Sequence, residues 1–315
     1  MIEKNNVNVM VLMATYNGEK YIREQIESIL NQVDVKQELI VRDDGSSDRT
    51  ISIVRDYIDS SNVFYGNHDG SSKNFWELLR IANQRKDNFD FFSFSDQDDI
   101  WDDNKLIEAV NQLKNYNSLD LPLLYYSNHR IITADGLLDE DNHIIIPPKN
   151  LESSLVRSDA QGCTMVFNEK MLSIASAYIP SFNSIPVYHD AFLHKLCMSL
   201  GGVVIYDDSP RISYRIHENN VVNNVVSKNP KKSFFNKLAS FFVIENKFYH
   251  SRVANEILIG YKDYLPEKNK DILFMMAHYK DDKKLKRKIL FSNKFSTGNI
   301  KKDFRFKYSV LLNKA

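Results

Sequence analysis

Short apolar runs alternate with amphipathic stretches over the first hundred residues. Val7 to Met13 is apolar and β-branched, the turn Ala14-Thr15-Tyr16-Asn17-Gly18 follows, and Tyr21, Ile22, Ile26, Ile29 and Leu30 then recur at helical spacing. The same order returns in a strand over Glu38 to Val41, the loop Arg42 to Asp48, and a helix over Thr50 to Ile58. A third strand at Val63 to Tyr65 leads through a Gly/Ser loop to a helix over Asn74 to Ile81, and Phe91 to Phe94 reads as a fourth, buried strand. Strands alternating with helices in this way predict an α/β unit, a mostly parallel sheet wound with right-handed crossovers.

The unit is expected to continue to about Val226. A helix over Lys105 to Leu113, strands at Leu123 to Tyr126, Thr164 to Phe167 and Val203 to Tyr206, and a helix over Asp190 to Leu200 extend it. Beyond the polar stretch Asn219 to Lys232 the pattern becomes purely helical. Helices are expected over Ser233 to Tyr249, Arg252 to Tyr264, Lys268 to His278 and Asp282 to Phe291. The expected organisation is therefore a sheet domain over 1–226 and a basic helical region over 227–315.

Composition changes the picture mainly through charge. The chain has 315 residues, 43% of them hydrophobic and 26% charged, with equal numbers of acids and bases. Residues 227–315 carry 21 Lys and Arg against 8 Asp and Glu, whereas residues 1–226 carry 20 against 33. An acidic body suits a cation-dependent enzyme, and a basic tail suits an anionic surface such as lipid headgroups or nucleic acid. In Ser233 to Tyr249, Phe234, Phe235, Leu238, Phe241 and Phe242 beside Lys231, Lys232 and Lys237 fit an amphipathic helix. It would either touch a membrane peripherally or pack on the sheet domain or another subunit. Cys163 and Cys197 lack disulfide or zinc spacing, no apolar run is long enough to span a bilayer, and the start has no signal-peptide layout. A cytoplasmic protein, at most peripheral on the membrane face, is expected.

The candidate chemistry sits in the loops after the strands. FFSFSDQDDIW, residues 91–101, closes an apolar strand with Asp96, Asp98 and Asp99, and Asp102 follows. Crowded carboxylates raise one another's pKa, and a hard divalent cation relieves the repulsion while leaving positions open to phosphate oxygens. The alternative is a turn in which Asp102 or Asp103 caps the next helix. The Asp43-Asp44-Gly45-Ser46 loop can accept hydrogen bonds from a uracil or thymine imide and from ribose hydroxyls. It reads equally as an acid-rich turn with Gly45 at positive φ and Asp48 as a cap. Neither G-x-G-x-x-G nor G-x-x-x-x-G-K-[ST] occurs, which excludes the usual dinucleotide and P-loop sites.

Taken in order, Ala14-Thr15-Tyr16-Asn17, Asp43-Asp44-Gly45-Ser46, Asp96-Gln97-Asp98-Asp99 and His189-Asp190 resemble the motifs of inverting glycosyltransferases of family 2, which have the GT-A fold. The resemblance covers roughly residues 7–226. It is greater still to bacterial rhamnosyltransferase-like enzymes of surface polysaccharides, through Asp-Gln-Asp-Asp-x-Trp, Gly162-Cys163-Thr164-Met165 and Tyr214-Arg215-x-His217 followed by Asn219-Asn220-Val221-Val222.

The resemblance implies that Thr15 and Tyr16 border the base, that Asp44 recognises it, and that Lys73 lies near the nucleotide. It implies Asp96 on the ribose, Asp98 and His217 on Mn²⁺ or Mg²⁺, and Asp190 as general base. His217 reads equally as a structural histidine, and Asp190 as a helix cap. His189-Asp190 stands where many members have Glu-Asp. Trp101, Gln161 and Gly162 fall where the family binds acceptor, although a tryptophan also packs in cores.

The implied reaction moves rhamnose or a similar hexose from a dTDP- or UDP-linked donor to a hydroxyl of a growing glycan, free or lipid-linked. Two rivals use similar acids: a nucleotide-sugar-binding or nucleotidyltransferase protein, and a non-catalytic component of a polysaccharide assembly complex. The loop Ala14 to Glu19 lacks the Gly-rich basic character of the nucleotidyltransferases, and Asp98 with Asp190 argues against a scaffold. Nucleic-acid binding by the tail is the weakest option.

Overall fold

The computed structural model describes residues 7–116, 120–139, 145–181, 188–218 and 249–315. The chain opens with β1 (Asn8–Thr15), α1 (Ile22–Leu30), β2 (Lys36–Asp43), α2 (Thr50–Arg55), β3 (Val63–Tyr65), α3 (Ser71–Gln84) and β4 (Phe91–Ser95). The expected β-α rhythm is thus present. β1 shows why both faces of the sheet are covered: Met10, Leu12 and Ala14 enter one core, and Val9, Val11 and Met13 enter the other. On α1 the buried residues Ile22, Ile26 and Ile29 fall on one stripe against the second core. Each isoleucine so buried contributes roughly 1.5–3 kcal/mol.

After β5 (Ile100–Trp101) and α4 (Lys105–Lys114) come β6 (Leu123–Ser127), β7 (Arg130–Thr133), β8 (Leu138–Asp139), α5 (Leu151–Val156), β9 (Val166–Asn168) and α6 (Glu169–Ala175). The body ends with α7 (His189–Ser199), β10 (Val203–Asp207) and β11 (Ile212–Ile216). The main sheet has seven strands in the order β10-β6-β9-β4-β1-β2-β3. All neighbours are parallel except β9, which runs antiparallel to both β4 and β6. A second sheet, β5-β11-β7-β8, was not expected from the apolar pattern. It pairs Ile212 with Trp101 and Tyr214 with Ile131, and so brings β11 beside the acid turn after β4.

Among the described residues four helices follow: α8 (Tyr249–Tyr261), α9 (Glu267–His278), α10 (Lys283–Phe291) and α11 (Ile300–Leu311). The first three match the expected helices to within a few residues, and α11 is additional. Val253, Ile257, Leu273, Met276 and Val310 share one continuous core with Met10, Phe92 and Leu193, so these helices pack on the sheet body. The expected boundary at 226 and the amphipathic stretch Ser233 to Phe248 lie outside the described residues.

Candidate active site

Three loops meet at the C-terminal ends of β1, β2 and β4, where open α/β sheets bind ligands. They are tied together by hydrogen bonds. Tyr16 N–H donates to Gln97 Oε1 at 2.9 Å and Gln97 Nε2 returns a bond to Tyr16 O at 3.0 Å, while Asn17 N–H donates to Ser46 Oγ at 2.8 Å. Asp43 organises its own turn by accepting from Gly45 N–H at 3.1 Å, Ser46 N–H at 2.8 Å and Thr15 Oγ1 at 3.0 Å. Gly45 has φ +90°, the left-handed conformation that turn requires.

Thr15 is buried and its hydroxyl is spent on Asp43. Asp44 is buried too, and its two oxygens accept from the N–H groups of Asp69 and Gly70 at 3.0 and 2.7 Å, so it shapes the 66–70 loop. Lys73, on the first turn of α3, pairs with Asp69 at 2.7 Å. Tyr16 remains exposed, its ring 4.7 Å from that of His68, and offers an aromatic face beside the same loop.

The acid turn after β4 faces β11. His217 Nε2 lies 2.7 Å from Asp98 Oδ2, and the Tyr21 ring stacks on His217 at 4.9 Å. Arg215 holds the turn from behind. Its N–H donates to Asp99 Oδ1 at 3.1 Å, and its guanidinium reaches Asp98 O at 2.9 Å, Ala134 O at 3.2 Å and Glu24 at 2.6 Å. Sequence reasoning quoted Arg215 only as part of a motif, because its partners are scattered between positions 24 and 134.

Beneath the turn the acids Asp96 and Asp99 meet Cys163 and Lys105, two neighbours the sequence did not point to. Asp96, Asp99 and Cys163 place possible ligand atoms within 4.8 Å of one another. Burial, then the charges of Asp98 and Asp96, hold the Asp99 carboxyl well above its ordinary value. Lys105 is fully buried, with its ammonium 3.5 Å over the Trp101 ring and 3.1 Å from Ser93 Oγ, and burial lowers its pKa to about 7. Trp101, expected at the acceptor, is 4% exposed and packed against Lys105.

Asp190 stands on the first turn of α7. Its Oδ2 accepts from Gly162 N–H at 3.3 Å and its Oδ1 from Ala191 N–H at 2.6 Å. It also borders the acid turn: burial first, then the charges of Asp98 and Asp190, raise the Asp96 pKa to about 7. His189 packs away from the site, stacked on Phe75 with ring centroids 3.8 Å apart, and burial lowers it to about 4, so it stays neutral. Gly162 is buried against this helix start. A Cβ there would come within 2.5 Å of His189 Nε2, so the position has room only for glycine. Gln161 beside it keeps a buried Oε1 without a hydrogen-bond partner.

With that geometry in place, comparison with known proteins is informative. Residues 10–166 match the sequence profile described as Glycosyl transferase family 2. The chain belongs to that family. This family 2 glycosyltransferase is 29% identical over 258 residues to the dTDP-rhamnosyl transferase RfbG of Shigella flexneri, covering 77% of this chain and 82% of that one. It is 31% identical over 167 residues to the UDP-Glc:alpha-D-GlcNAc-diphosphoundecaprenol beta-1,3-glucosyltransferase WfgD of Escherichia coli, covering 52% of this chain and 61% of that one. In fold it resembles S. aureus TarS 1-349 in complex with UDP-GlcNAc, with a TM-score of 0.56 at 18% identity over 92% of this chain and 78% of that one. The GT-A architecture is therefore established, while Asp190 and His217 lie beyond the matched span.

Proposed function

We propose that this family 2 enzyme is an inverting, metal-dependent transferase that moves rhamnose or a similar hexose from a dTDP- or UDP-linked donor to a hydroxyl of a bacterial surface glycan. One observation carries the reading. Asp98 and His217, 119 residues apart, converge to 2.7 Å beside Asp96, and the charge of Asp190, at the start of α7, reaches Asp96 as well. The likeness to a dTDP-rhamnosyl transferase over most of both chains supports the donor class.

The residues fit a divalent cation. A carboxylate oxygen and an imidazole nitrogen at 2.7 Å can ligate from adjacent positions, and partly buried Asp96 gains from a positive neighbour. When bound, the cation offsets the negative charge of the departing diphosphate. Asp190 then accepts the proton of the acceptor hydroxyl, and the Gly162 N–H holds its carboxylate in place. Arg215 and Glu24 keep the acid turn against β11.

The test is a donor screen. The purified protein with Mn²⁺ or Mg²⁺ is offered dTDP-rhamnose and several UDP-sugars, and released nucleotide is measured. Turnover of one donor, abolished by chelation, is expected. No release from any donor in the presence of either ion would remove the proposal.

A further inference from the structure

The two last helices form a surface that the transferase site does not use. Residues 283–314 hold 11 Lys and Arg against a single acid, Asp303. That acid is occupied within the loop, accepting from Ser296 Oγ at 2.6 Å and from Thr297 N–H at 2.5 Å. α11 has two apolar faces. Phe306 and Val310 enter the core, whereas Ile300, Phe304 and Leu311 recur on another stripe and are 89%, 58% and 55% exposed. Phe291, at the end of α10, is 85% exposed and sits at the same end of the hairpin as Ile300.

Large apolar side chains left this open are costly in water and mark contact surfaces. Their surroundings select the partner. Lys288, Lys301 and Lys302 are exposed around the tip that carries Phe291 and Ile300, while Lys294 beside them pairs with Glu152 at 3.7 Å. A second copy of the same face would set these like charges against one another. A negatively charged bilayer would neutralise them while the apolar tip enters the headgroup boundary. None of the helices among the described residues is long and apolar enough to cross a membrane, so the contact would be peripheral.

We propose that the α10–α11 hairpin docks on anionic lipid, with Phe291 and Ile300 inserted and the lysines paired with headgroups. The surface stands on exposure and charge alone and is independent of the donor or base assignments. It would bring the catalytic body to an acceptor carried on lipid.

The test uses the full chain with phosphatidylcholine vesicles, with and without phosphatidylglycerol, in co-sedimentation at low and high salt. Binding to the anionic vesicles at low salt, weakened by salt and absent on phosphatidylcholine alone, is expected. F291S/I300S should lower partitioning by about tenfold or more, because it removes two inserted apolar groups. K288E/K301E/K302E should abolish it while leaving the thermal midpoint unchanged. Absence of binding to anionic vesicles, or binding unaltered by both variants, overturns the proposal. A fall in hydrodynamic size in F291S/I300S without lipid assigns the face to a second copy and also overturns it. Nucleotide release is measured in the same preparations, so vesicle binding without turnover would remove the transferase reading and leave this one standing.

Discussion

His217 Nε2 lies 2.7 Å from Asp98 Oδ2, which joins the residue just past β11 to the acid turn after β4. An aspartate and an imidazole so placed share either a proton or a cation. If the cation is the physiological occupant, His217→Ala should lower Mn²⁺ affinity by about tenfold or more, and Asp98→Ala should weaken metal and nucleotide binding together. Because the two act as one unit, the double variant should cost little beyond the worse single one. Calorimetric titration of Mn²⁺ reads both. Affinities unchanged in each variant would leave the pair a structural contact.

Asp190→Asn separates chemistry from binding. The amide oxygen can still accept from Gly162 N–H, and the substitution gives up only the local bond from Ala191 N–H at the start of α7. A general base of this kind contributes about 10²–10⁴-fold, and kcat should fall by that factor with the donor Kd unchanged. Turnover within a few-fold of the native enzyme would show that another group takes the proton.

Gly162→Ala tests the packing behind that carboxylate. The added methyl would stand 2.5 Å from His189 Nε2, too close for that ring to stay in place, and would touch Asp190 Cβ at 3.4 Å, so that Asp190 moves only as its neighbour His189 is displaced. His189 cannot swing aside, because its ring is stacked on Phe75 and set edge-on to Phe94. Overpacking should cost about 1–3 kcal/mol of stability and move Asp190 enough to lower kcat more than KM. A crystal structure or melting curve identical to the native protein's would refute the account.

Much of this architecture was legible because apolar runs such as Val7 to Met13 and Phe91 to Phe94 are buried on both faces, which leaves a plain trace in the chain. The direction of β9 left none: three residues, Val166 to Asn168, read alike in either orientation. The second sheet was hidden for a related reason, since β5 and β8 have two residues each and are held by pairing to partners far along the chain. Local pattern located the acids Asp96 and Asp98, and family resemblance pointed to Asp190, but neither showed what surrounds them. Arg215, Glu24 and Tyr21 meet only through the fold, and Trp101 could be told from a sugar platform only once Lys105 was seen above it.

His194 should make acid stability measurable at one group. It is buried, its Nδ1 has no hydrogen-bond partner, and its ring meets Tyr126 edge-on at 5.6 Å. Burial, then the charge of Lys195, lowers its pKa from 6.5 to about 3. Between those two values the unfolded chain carries a proton that the folded chain does not, so stability is lost as pH falls through that window. His189 and His250, each lowered to about 4, carry the same sign, whereas Asp96, raised to about 7, carries the opposite one. All three remain in His194→Leu and cancel when it is compared with the native protein. The variant should therefore lose less Tm than the native protein between about pH 7.5 and pH 5, whatever their order at neutral pH. Parallel Tm curves across that range would mean that His194 titrates alike in the folded and unfolded chains, and that its burial costs the proton nothing.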